Sequence, residues 1–349
     1  MQFTRIAVSR PAYRDFKKSS SLNPLQLAKD IQAAADACEG CSDYAQARNL
    51  YRRSLRLLHG QPASKAANSL RMNGFIGLGS LCVLHGRYEQ AKQYYQKARA
   101  LAQASFAGNS VEMLAALNGL GVVSKHVGHF DAARRFYNRV LVIAQRSMAK
   151  GILGPDPLEL ASLYHNLGGL EHSLGRFARA EPFARRAVAI RERVLGPAHP
   201  EVAADVAALA PILDGLGKYR EAEKLYKLAL ATFRHCYGPC HYEIAVSMGN
   251  FAANRQAQGK HKTAERLYRT ALAMQGRLAG PRSPDAALLC NNLGKLLTSV
   301  GRPGEAVPLL KSALAILTAR LASGHPHLGK VRKNLREALD ATARKVENK

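Results

Sequence analysis

An all-α superhelix of seven stacked helix pairs, closed by one further helix, is the fold this sequence predicts. Three observations predict it. A 17-residue string returns along the chain at nearly fixed spacing. Each copy carries small and aromatic residues in helical register. Ahead of each copy stands a second stretch in which a bulky residue sits beside a small one.

The string is "GKYREAEKLYKLALATF" at 217–233, with close variants at 86–102, 128–144, 175–191 and 259–275. The glycines that open it, Gly86, Gly128, Gly175, Gly217, Gly259 and Gly301, stand 42, 47, 42, 42 and 42 residues apart, and a degenerate first copy starts at Ser42. A fixed period of this size marks an array of stacked units. Five residues after each start stands an alanine: Ala47, Ala91, Ala133, Ala180, Ala222, Ala264 and Ala306. Nine after stand Tyr51, Tyr95, Tyr137, Ala184, Tyr226, Tyr268 and Leu310, and twelve after stand Ser54, Ala98, Val140, Ala187, Ala229, Ala271 and Ala313. These offsets share one face of a helix, here helix B. The small residues let a neighbouring helix come close, and the tyrosine fills the space beside them.

Helix A precedes each glycine. Leu78-Gly79, Leu120-Gly121, Leu167-Gly168, Leu209-Ala210, Phe251-Ala252 and Leu293-Gly294 stand eight and seven residues before it. The glycine ends helix A and permits the tight turn into helix B. The units fall near 25–60, 66–104, 109–150, 157–195, 199–237, 241–279 and 284–322, forming one array over 24–349. The segment 326–345 reads as a terminal A-type helix that covers the last apolar face. Residues 1–23, basic and poor in acid, read as a tail. Irregularities stand out: the first copy lacks the glycine, the third linker is five residues longer, Pro211 should kink the fifth helix A, and Pro303 replaces the aromatic of the last copy.

These residues resemble the tetratricopeptide repeat (TPR), whose basic period is about 34 residues. The 42-residue spacing and the linkers "LGPAHPEVA", "YGPCHYEIA", "GPRSPDAAL" and "SGHPHLGKV" look like the extended repeat of kinesin light chains. The resemblance implies a right-handed α-solenoid with A helices lining a concave groove and B helices forming the convex back. It further implies a non-catalytic scaffold or adaptor that holds an extended peptide in the groove. The A-helix face turned away from the Leu-Gly pairs then supplies the site: Asn118, Lys125 and His126; His165, Asn166 and His172; Asn250 and Gln256; Asn291, Asn292 and Lys295; and Lys330, Lys333 and Asn334 from the cap. The amides suit a peptide backbone because each both donates and accepts. The lysines favour acidic side chains, and Asp214 near the same face argues against a uniformly basic groove.

Composition narrows the alternatives. The 349 residues are 47% hydrophobic and 22% charged, so the chain folds. A formal net charge of +26 attracts acidic protein, nucleic acid or anionic surfaces. Nucleic acid is the rival partner, with Arg134, Arg135, Arg139, Arg185, Arg186, Arg191, Arg193, Lys224, Lys227, Arg266 and Arg269 expected on the convex face. Against it, the chain has no Trp and most tyrosines occupy the repeat core. No run of about 18 apolar residues exists, so no membrane span is expected. The six scattered cysteines suggest a reducing compartment with free, buried thiols, and hence the cytoplasm, with organelle targeting through the basic start as the alternative. "HCYGPCH" (235–241) reads as an inter-repeat loop rather than a zinc site, and Cys38-Glu39-Gly40-Cys41 lacks the βαβ setting of a redox motif. No cofactor, metal or catalytic constellation is expected.

Overall fold

The computed structural model describes residues 23–106, 111–149, 156–321 and 323–347; the basic tail and most of the long third linker lie outside them. The described chain consists of seven helix pairs and a last helix. The pairs are α1 (Pro24–Gly40) with α2 (Tyr44–His59), α3 (Lys65–Leu84) with α4 (Tyr88–Ser105), and α5 (Leu114–His126) with α6 (Phe130–Ala149). They continue as α7 (Pro157–Ser173) with α8 (Phe177–Leu195), α9 (Pro200–Gly215) with α10 (Tyr219–Tyr237), α11 (Tyr242–Ala257) with α12 (His261–Leu278), and α13 (Pro284–Ser299) with α14 (Pro303–Thr318). The cap is α15 (Pro326–Glu347). Odd-numbered helices are the A helices.

Local chemistry sets the boundaries. Asn23, Asp43, Ser64, Asp156 and Ser283 cap the following helices through their side chains, and proline opens α1, α7, α9 and α13. The linker histidines do the same work. Nδ1 of His199, His241 and His325 accepts from the backbone N–H two residues on, at 3.2, 3.2 and 3.1 Å. All six turn glycines have positive φ, from 68° at Gly86 to 90° at Gly128. Ser42 takes the same left-handed conformation at φ 62°, so the first copy keeps the turn without the glycine. Helix α9 runs unbroken through Pro211.

The tyrosine-and-small-residue register is the packing rule. A Cβ added to Gly121 would stand 2.4 Å from the Tyr137 ring. Tyr51 and Tyr95 also press on the next unit: a Cβ on Gly77 would meet Tyr51 at 2.3 Å, and one on Gly119 would meet Tyr95 at 2.3 Å. Unit 4, where Ala184 replaces the tyrosine, closes the gap with backbone instead. There a Cβ on Gly168 would meet the α8 backbone nitrogen of Ala184 at 3.3 Å. Tyr137 leaves its buried hydroxyl without a partner among the described residues, but at other units the tyrosine hydroxyl is met from helix A. Tyr226 donates to Asp214 at 2.9 Å, Tyr268 donates to Gln256 at 3.3 Å, and Tyr95 pairs with Ser80 at 3.2 Å. Asp214 and Gln256 therefore serve the core.

Neighbouring A helices pack on one another along the whole array, whereas contact between B helices is not comparable. The array therefore curves with the A helices inside. The winding is tight enough for each turn to meet the next. His241 reaches the Gly40 carbonyl at 3.1 Å and Arg320 donates to the His85 carbonyl at 3.1 Å. A Cβ on Gly86 would lie 2.6 Å from Pro284, and one on Gly128 would lie 2.8 Å from the His325 ring. The A–B turns of units 1, 2 and 3 thus dock on the linkers that open unit 6, unit 7 and the cap. Five units complete one superhelical turn, and the inner face becomes a channel bounded by this seam.

No helix among the described residues is long and apolar enough to cross a membrane. Of the six cysteines, which are all free, Cys38 and Cys290 are buried; Cys41 and Cys240 are exposed, and Cys82 and Cys236 lie between.

Candidate functional site

The inner face collects polar side chains from successive A helices. Asparagines bridge them. Asn166 of α7 donates to Asn118 of α5 at 2.8 Å, and Asn334 of the cap donates to Asn291 of α13 at 2.9 Å. Asn291 itself donates to Asn292 at 3.1 Å. Each amide has a donor and an acceptor side, so such pairs keep hydrogen-bonding capacity for a ligand backbone. Asn250 of α11 is half-buried.

A cationic and histidine-rich cluster gathers where unit 3, unit 4 and the cap meet. Lys125 Nζ lies 3.3 Å from where a Gly169 Cβ would stand, and burial lowers the pKa of the ammonium. His172 is pushed down to about 4 by burial and then by Lys125 and Lys330. His327 is pushed down to about 4 by burial and then by His325, Lys330 and His172. His126, stacked on Tyr88 with ring centroids 5.5 Å apart, falls to about 3 through burial and then Lys125, His327 and His325. The structure thus brings Lys125, His126, His172 and Lys330 together with His325 and His327, which sequence reasoning treated only as linker. Lys295 and Lys333 are exposed, Lys333 within 3.9 Å of Glu337.

The opposite sign appears at the start of α11 and α13. Burial raises the pKa of Glu243; His165 opposes the shift and Asp285 adds to it. Asp285 is likewise raised by burial, while Tyr242 donates to it at 2.8 Å and pulls the other way. The channel is therefore polar along its length, acidic near units 6 and 7 and basic near the cap.

His165 belongs to a buried network. Its Nδ1 donates to Asp205 at 2.7 Å. Asp205, 1% exposed, also pairs with Arg191, which donates to Ser162 at 2.8 Å and reaches Glu201 at 3.2 Å. Arg191, expected on the convex face, is buried beside helix A. Register alignment carries the signal: sister copies place Ala102, Ala144, Phe233 and Leu317 at the Arg191 position, and Leu163 and Leu289 at the Asp205 position.

The other convex cations are largely engaged where helix B carries glutamate. Arg185 pairs with Glu181 at 2.7 Å and Glu221 at 2.9 Å, and Lys218 pairs with Glu181 at 3.0 Å. Arg269, Arg302, Glu265 and Glu305 repeat this quartet at 2.7–3.3 Å. Hydrogen bonds from Lys227 and Arg255 hold Glu223 down to about 2.

The histidine cluster makes stability at the cap pH-dependent. Unfolded, these rings titrate near 6.5; folded, His126, His172 and His327 titrate near 3 to 4. Between those values the unfolded chain binds more protons, so the stabilisation is complete above pH 6.5 and is lost as pH falls toward 4. Each pKa unit is worth about 1.4 kcal/mol before solvent screening. Glu243 and Asp285 act in the opposite sense. We expect the melting temperature to fall by several degrees between pH 7 and pH 4.5, with lower amide protection factors in α15. His327→Gln should reduce the fall; an unchanged profile in that variant would contradict the assignment.

Comparison with known proteins gives the following. The tetratricopeptide repeat model matches residues 67–146, 159–235 and 243–319, more than half of the chain. The chain is similar to the nearly identical TPR-like repeats of a kinesin light chain from Podosopora anserina, at 26% identity and TM-score 0.43, over 55% of this chain and 90% of that one. It is similar in fold to the Rap conjugation gene regulator of plasmid pLS20 in complex with the Phr* peptide. Identity there is 15% and TM-score 0.57, over 92% of this chain and 75% of that one. A Rap protein complexed with competence and sporulation factor matches at 13% identity and TM-score 0.54, over 93% of this chain and 100% of that one. No curated protein matches significantly.

Proposed function

The chain belongs to the tetratricopeptide repeat family, and from that premise we propose that it is a non-catalytic scaffold that holds an extended segment of a partner protein inside its channel. One observation carries the proposal: buried or half-buried amides from successive A helices, with half-buried Lys125 and exposed Lys330 beside them, share one inner face. Asn118, Asn166, Asn250, Asn291, Asn292 and Asn334 bind the segment's backbone. Lys125, His172 and Lys330 receive its acidic side chains, so the acidic end lies toward the cap and away from Glu243 and Asp285. His165, tied to Asp205, shapes the wall, and Lys295 and Lys333 add positive charge. The likeness in fold to Rap proteins solved with peptides supports a peptide as ligand. The family match is to a repeat and not to an enzyme.

Peptides selected from a random library on the intact protein test this. Replacing Asn166, Asn250 and Asn292 together by Ala should weaken a selected peptide about 100-fold, at about 1 kcal/mol per hydrogen bond, with helicity unchanged. Equal affinity in fluorescence anisotropy would refute the channel as the binding site.

A further inference from the structure

The ion-pair quartets of the convex face obey a register. Helix B carries Glu six residues and a cation ten residues after the turn position; the next unit adds a cation one residue and Glu four residues after its own. The junction of units 4 and 5 therefore reads Glu181, Arg185, Lys218, Glu221, and that of units 6 and 7 reads Glu265, Arg269, Arg302, Glu305. Each quartet balances two cations with two carboxylates. The junction of units 1 and 2 has Arg48, Arg52, Arg87 and Gln90 in the same four places. Both carboxylates are gone, one replaced by a third guanidinium.

These four side chains line a narrow pocket between α2 and α4, with Tyr44 and Cys82 among its other walls. None of the three guanidinium groups makes a hydrogen bond or ion pair among the described residues. The Nε of Arg48 is buried and has no partner. His85, also in the wall, has its pKa lowered by burial and then by Arg87, Arg48 and Arg320, as expected where cations crowd without a counter-charge. Guanidinium is the group best shaped to grip a planar or tetrahedral oxyanion with paired N–H donors.

We propose that the mouth of this pocket, where Arg52 and Arg87 are exposed, binds a phosphate oxyanion in the dianionic state, which takes the place of the two carboxylates present at the junctions of units 4 and 5 and of units 6 and 7. Three cations with no ion-pair partner among the described residues match a dianion better than the single charge of a phosphodiester. The group is either free phosphate or a phosphoryl monoester on a partner. Neither depends on the channel, so the two proposals stand or fall separately.

The test is thermal unfolding of the full chain at pH 7.5 and constant ionic strength, with inorganic phosphate replacing chloride. A saturable rise is expected, about 5 °C at a hundred times the dissociation constant. The double variant Arg48→Glu with Gln90→Glu installs the sister quartet. It should melt no lower than the parent and lose the response. A parent that responds no more to phosphate than to chloride, or a variant that responds as fully, would overturn the site. A phosphoserine peptide binding at least tenfold tighter than phosphate assigns the group to a partner, whereas the reverse order assigns it to the free ion. A dinucleotide diester binding as tightly as the monoester would refute the dianion reading.

Discussion

Replacing Arg191 by Leu should lower the unfolding free energy by about 3–5 kcal/mol, the usual consequence of leaving a buried charge without its partner. Asp205 is 1% exposed and would keep only the half-buried His165 as a counter-group. The second half of the experiment makes the reasoning specific. Replacing Arg191 and Asp205 together by Leu should recover most of the loss. A buried pair contributes little over well-packed apolar residues, and the junctions of units 2 and 3 and of units 3 and 4 fill both places with Ala or Leu, as Ala102 with Ala116 and Ala144 with Leu163. Denaturant unfolding of the two variants measures both quantities. If the double variant is as unstable as the single one, the network does more than balance charge, and the register comparison fails.

Ala222→Glu should cost several kcal/mol. Ala222 is fully buried in the core that joins units 4 to 7, at the small-residue position of helix B. A longer side chain there overpacks the contact with α9, and its charge would have no buried partner. In a stacked array such damage does not stay local, because each unit is stabilised through its neighbours. The melting temperature should drop by well over 5 °C. Retention of the parent value would remove Ala222 from the core register, and with it the alignment of all seven copies.

Much of the fold was legible because the repeat is a nearest-neighbour structure. Ala222, Tyr226 and Ala229 meet helices within about 40 residues, and the same spacing recurs, so periodicity alone places them. The turn was legible even where the glycine was missing, since Ser42 sits in register. The candidate site was legible only in part. Asn166 and Asn292 were found by register, but nothing local showed that Asn166 bonds Asn118, or that Gln256 and Asp214 would be engaged by tyrosine hydroxyls. Arg191 was misplaced on the convex face because its charge suggested solvent, while its partner Asp205 lies in the next unit's apolar helix.

The amino-acid sequence by itself determined the helix pairs, their turns, the tyrosine-and-glycine contacts and the cap, because those depend on neighbours close along the chain. Only the tertiary structure decided how tightly the array winds. Small rotations between successive units accumulate, and after five units they bring His241 to Gly40, Arg320 to His85 and His325 to Gly128. That sum is fixed by every interface together and by no single motif. It is what turns an open groove into a channel and gathers Lys125, His126, His172, His327 and Lys330, distant in sequence, into one basic cluster.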